Sequence, residues 1–158
     1  MKIDKVERWT KLRVKFSYCK DGDFGITPTS EVKFFDVEEF SGKKKIKFKD
    51  LEKRQNEYTK FLITAIMEDF PEEKMVEDFL DEVNKVAAGK LNETYWDGQS
   101  FQHKITKDKV SFEHTIFGIC EEYPEWSCHF DEYKAVLELW GEFLQMKPSL
   151  RNEVTIEV

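Results

Sequence analysis

The sequence predicts a single α+β domain in which a mixed, mostly antiparallel sheet is packed by about three helices. Apolar side chains alternate with period two at residues 12–18, 101–114 and 154–158, the mark of half-buried strands. Between and after these stretches, residues 58–70, 75–87 and 136–144 carry apolar positions at helical spacing. No repeat, low-complexity tract or Pro/Ser-rich linker divides the 158 residues, so residues 1–158 are expected to form one globular unit. Fourteen Phe, four Trp and five Tyr supply apolar area for a core that needs no disulfide.

The elements follow in chain order. Leu12, Val14, Phe16 and Tyr18 alternate with Lys11, Arg13, Lys15 and Ser17, which predicts a strand with its lysines and arginine on the solvent face. Residues 19–30, with two Gly, a Pro and several small polar side chains, read as a wide loop. Val32–Val37 and Ile46–Phe48 read as further strands of an antiparallel meander, separated by Ser41-Gly42 and the basic run Lys43-Lys44-Lys45.

Asp50 is placed to cap a helix whose apolar face is Tyr58, Phe61, Leu62, Ala65, Ile66 and Phe70, and Pro71 ends it. Met75, Val76, Phe79, Leu80, Val83, Val86 and Ala87 predict a second helix closed by Gly89, the two forming a helical hairpin. Glu68, Asp69, Glu72, Glu73, Glu77, Asp78, Asp81 and Glu82 fall on its acidic outer faces.

Trp96-Asp97-Gly98 reads as a turn. Phe101, His103 and Ile105 then pair with His114, Phe112 and Val110 if Lys107-Asp108 forms a hairpin loop, placing all six on one side. A short strand is expected at Trp126–Phe130, followed by a helix capped by Asp131 that buries Val136, Leu139, Trp140, Phe143 and Leu144. Val154, Ile156 and Val158 predict a closing edge strand.

Several function classes lack their chemistry. No apolar run has the length of a signal peptide or a membrane span, so a cytoplasmic protein with no membrane partner is expected. Cys19, Cys120 and Cys128 are too few and too scattered for a disulfide framework and read as reduced thiols, Cys19 as a small buried hydrophobe in its strand. Cys120, Cys128 and His129 lack the close ligand pairs of a structural zinc site, and no Gly-rich phosphate loop opens a helix. No cofactor or metal is expected.

Charge is uneven. Residues 1–60 carry 16 Lys/Arg and 11 Asp/Glu, a net of +5, whereas residues 61–158 carry 9 and 21, a net of −12. So acidic a surface repels nucleic acid and steers basic partners toward it. The segment Glu121-Glu122-Tyr123-Pro124-Glu125-Trp126 joins carboxylates to two large aromatics outside the helical periodicities. Interfaces favour aromatic anchors ringed by polar groups, so Glu121, Glu122, Tyr123, Glu125 and Trp126, together with Trp96 and Asp97, form the candidate partner-binding set. Two other arrangements compete with it. A small enzyme could assemble a site from His103, His114 and Cys128, and a nucleic-acid-binding module could use the lysines of the first strands with Phe35.

The tract Tyr95-Trp96-Asp97-Gly98-Gln99-Ser100-Phe101, the hairpin Ile105-Thr106-Lys107-Asp108-Lys109-Val110, and the helix from Phe130-Asp131-Glu132-Tyr133 to Trp140-Gly141-Glu142-Phe143-Leu144 resemble small immunity proteins encoded beside polymorphic toxins in Gram-positive bacteria. The resemblance spans residues 93–158. It implies a cytosolic protein, not an enzyme, that neutralises a cognate toxin domain by occluding its active site. A basic protein partner is the corresponding expectation.

Overall fold

The computed structural model describes residues 11–35 and 48–158, without the side chains of Phe35 and of residues 48–50. The run Lys43-Lys44-Lys45, the Phe35 ring, residues 46–47 of an expected strand and the side chain of Asp50 lie outside that description.

The fold is α+β, and its strands divide into two fully antiparallel sheets instead of one mixed sheet. β1 (Lys11–Asp21), β2 (Gly25–Phe35) and β7 (Glu153–Glu157) form the first, in the order β2-β1-β7. Leu12 faces Phe34 and Val14 faces both Val32 and Ile156, so the predicted alternation lines one buried face.

The wide loop expected at 19–30 is a tight turn. β2 starts at Gly25, whose φ of 77° suits glycine, and the Asp23 N–H donates to Asp21 Oδ1 at 3.0 Å. Among the described strands β2 has β1 as its single neighbour, an edge position of the kind in which a proline such as Pro28 is tolerated. Cys19, expected to be buried, is exposed. The alternation that sends Tyr18 inward sends its neighbour outward.

α1 (Phe48–Tyr58), a π-helical turn (Thr59–Ile63) and α2 (Thr64–Asp69) run on as one helical segment. Phe48 thus opens a helix where a strand was expected, and Asp50 falls inside its first turn instead of capping it. The Thr64 N–H reaches the Thr59 carbonyl five residues back, and the π turn buries three successive side chains, Phe61, Leu62 and Ile63.

α3 (Glu73–Ala87) follows Pro71 and ends before Gly89, which has a φ of 77°. It packs mainly on α4 (Phe130–Leu144) and on β3 and β4, so the expected hairpin with the preceding helix does not form. Gly141 permits the close crossing of α3 and α4, because a Cβ there would lie 2.9 Å from Val76 Cγ1.

The second sheet runs β3 (Glu93–Asp97), β4 (Phe101–Thr106), β5 (Lys109–His114), β6 (Trp126–His129) in sequence order. Its central register matches the expected hairpin: Ile105 faces Val110, His103 faces Phe112 and Phe101 faces His114. Trp96 and Asp97 belong to strand β3, and only Gly98 onward turns. α4 starts at Phe130, with His129 in the N-cap position expected for Asp131; the Glu132 carboxylate accepts the His129 N–H at 2.9 Å.

α4 links the two sheets. Trp140 and Phe143 pack on Phe16, while Tyr133 packs on His103 and Phe112. Among the described residues no helix is long and apolar enough to cross a membrane.

Candidate functional site

The β5–β6 loop, residues 115–125, leaves one end of the second sheet and carries most of the predicted binding residues. Its entry is tied down by hydrogen bonds. The Thr115 N–H donates to the Ser100 carbonyl at 2.9 Å, and its hydroxyl donates to the Gln99 carbonyl at 2.7 Å. His114 Nδ1 accepts the backbone N–H of both Ile116 and Phe117 at 3.2 Å, and the Gly118 N–H returns to the His114 carbonyl at 2.9 Å. Gly118 has a φ of 63°, so this reversal suits a residue without a Cβ.

The tight turn displays apolar side chains to water. Ile116 is 78% exposed, Phe117 62% and Ile119 53%. Glu121, Glu122 and Glu125 follow them and are exposed as well. Sequence reasoning missed the apolar trio, although Thr115-Ile116-Phe117-Gly118-Ile119 fits neither the strand nor the helix period and that misfit was a usable signal.

The predicted aromatics are the platform beneath the loop. Trp126 stacks on Phe61 with centroids 5.2 Å apart and planes 8° from parallel, and meets Tyr58 edge-on at 5.0 Å. Tyr123 lies 4.3 Å from the His114 ring and also touches Phe61 and Phe101. Lys60, in the π turn, stands 4.7 Å over the Tyr123 ring and donates to the Glu122 carbonyl, fixing the loop's far arm. Both aromatics are half-buried, so their rings are largely spent on the core.

Trp96 and Asp97 sit across the sheet, on the opposite edge strand from Trp126 but at the same end as the loop. Asp97 is exposed and accepts from Gln102 Nε2 at 2.9 Å. Trp96 is half-buried, stacks on Phe70 at 4.6 Å and donates its indole N–H to the Asp69 carbonyl at 3.0 Å. Between the loop and the outer sheet face lies a groove of about 430 Å³ lined by Gln102, Lys104, Ser111, Glu113, Ile119 and Glu125.

Asp69, expected on an acidic outer face, is only 3% exposed. Its carboxylate accepts the N–H of Ser100 at 2.8 Å and of Phe101 at 3.1 Å, and meets His103 Nε2 at 2.8 Å. Tyr133 Oη lies 2.7 Å from His103 Nδ1. Distance alone would make His103 and Asp69 an ion pair. Complete burial, however, lowers the histidine's pKa against the opposing pull of Asp69, so a neutral Nε2–H donates to the carboxylate and Nδ1 accepts from the tyrosine.

The His103, His114 and Cys128 trio therefore does not share an open cleft. His103 and Cys128 are wholly buried, burial raises the Cys128 thiol well above its usual pKa, and His114 Nδ1 is taken up by the loop backbone. Among the described residues, no three His, Cys, Asp or Glu side chains converge to hold a metal ion.

On the first sheet, the cations of the solvent face meet carboxylates. Arg13 pairs with Glu157 at 2.7 Å, Lys15 lies between Glu31 and Glu153, and Lys33 pairs with Glu31 at 3.3 Å. No family model, curated protein or solved structure matches this chain.

Proposed function

We propose that this protein is a cytosolic immunity-type inhibitor that binds a basic protein, a bacterial toxin domain, through the 115–125 loop and occludes that domain's active site without chemistry of its own. The observation that carries this reading is the exposed Ile116, Phe117 and Ile119 trio beside exposed Glu121, Glu122 and Glu125 on a loop pinned at both arms. Exposed apolar side chains bordered by charge are what an interface buries, and a loop already held in shape loses little entropy on binding. The net of −12 over residues 61–158 adds steering toward a cationic partner. Tyr123 and Trp126 support the surface from below, while Asp97 extends its acidic rim.

The test begins with capture of a basic domain from the native host, followed by calorimetry on the purified pair. Joint reversal of Glu121, Glu122 and Glu125 to Lys is expected to weaken binding by about 2–4 kcal/mol while thermal unfolding barely changes. An unchanged Kd would remove this surface as the interface.

A further inference from the structure

His114 ties the start of the loop to the aromatic platform below it. Its Nδ1 faces two backbone N–H donors, those of Ile116 and Phe117, both at 3.2 Å. A nitrogen that accepts hydrogen bonds carries no proton, so the ring is the neutral Nε2–H tautomer in this arrangement. The same ring stacks on Phe117 at 4.9 Å, lies tilted against Tyr123 at 4.3 Å, and meets Phe101 edge-on at 5.4 Å. One imidazole thus joins the turn that displays the apolar trio to the platform below it.

We propose that neutral His114 holds residues 115–119 in their displayed form and that protonation of its ring releases them. The proposal rests on the interface reading for its biological meaning, since the released residues carry that surface. With Nδ1 protonated, an N–H would point at two N–H donors and both hydrogen bonds would be lost. These amides lie at the surface and can turn to water, so release leaves no buried donor unpaired.

Charged groups of both signs stand near the ring. Lys60 and Glu68, of opposite sign, line a space of about 280 Å³ against His114 with Ser100, Phe101 and Tyr123. Glu68 is already engaged by the Ser100 hydroxyl at 3.0 Å, Lys60 by the Glu122 carbonyl, and Glu113 precedes His114 on the same strand, where alternation sends it to the other face.

The experiment is nuclear magnetic resonance on the isolated protein, following the His114 ring nitrogens and the backbone amides of Ile116 and Phe117 from pH 8 to pH 5. The expected result is an unprotonated Nδ1 at pH 8, with both amide resonances moving along the ring's own titration curve. Exchange at those amides, corrected for intrinsic pH dependence, should then accelerate at least tenfold. His114→Asn offers an oxygen near the Nδ1 position and should keep the loop closed at both pH values, while His114→Phe should leave it open at both.

A protonated Nδ1 at pH 8, or amide resonances that stay still while the ring titrates, would overturn the proposal, as would an unaltered pH response in His114→Asn. No partner enters this measurement. Failure of the glutamate reversal to weaken binding removes the interface and leaves the switch, whereas flat amide resonances remove the switch and leave the interface.

Discussion

Asp69 shows how one residue organises the polar part of this core. Its side chain serves three donors, two from the turn into β4 and one from His103, and its carbonyl accepts the Trp96 indole. Such a network specifies geometry because each unpaired member would be left dry. His103 ties it to pH. Its folded-state pKa is lowered by burial, so the unfolded chain binds the proton more readily and stability rises with pH across the interval. This contribution is present above the unfolded value of about 6.5 and is lost as pH falls from there through the folded value. Urea midpoints between pH 8 and 5 should decline, and His103→Gln should be less stable at pH 8 but show a shallower decline. An equally steep profile in that variant would place the acid sensitivity elsewhere.

At the scale of elements, the β3–β4 connection depends on a missing side chain. A Cβ on Gly98 would lie 2.1 Å from Asp69 Cγ, inside any tolerable contact, so a methyl there must displace the carboxylate from its donors. Gly98→Ala is expected to cost about 2–4 kcal/mol in denaturant unfolding, combining overpacking with unpaired amides. A loss below about 0.5 kcal/mol would mean that the turn relaxes freely. The glycine was legible as a turn signal; its fit against Asp69 was not, because residues 69 and 98 meet only when α2 docks on the sheet. The π turn was equally hidden. Helical spacing marks Phe61 and Leu62 as apolar neighbours, but the extra residue in the turn that also buries Ile63 is set by what surrounds it.

At the scale of the whole molecule, aromatic stacking joins the helical layer to the second sheet. Trp126 lies between Phe61, Tyr58 and Phe112, so it belongs to the packing more than to any interface. Trp126→Ala should lower stability by about 2–4 kcal/mol, whereas Glu125→Ala, on the exposed neighbour, should change it by less than about 0.5 kcal/mol. Thermal unfolding of the two variants side by side checks this. A Trp126→Ala protein that unfolds like wild type yet loses its partner would make the indole a contact residue.

The chain alone determined the α+β class, the 101–114 hairpin with its register, the helix endings at Pro71 and Gly89, and the acidic character of residues 61–158. Each is local: a period of two or 3.6, a turn residue, a count of charges. Tertiary structure decided the split into two sheets, the burial of Asp69, the outward face of Cys19, the docking of α3 on α4, and which side chains of residues 115–126 meet water. These depend on which surfaces meet across long separations in sequence. A single apolar or acidic letter carries the chemistry of a contact and no record of its neighbour, so Asp69 and Glu68 read alike until β4 lies beside one of them.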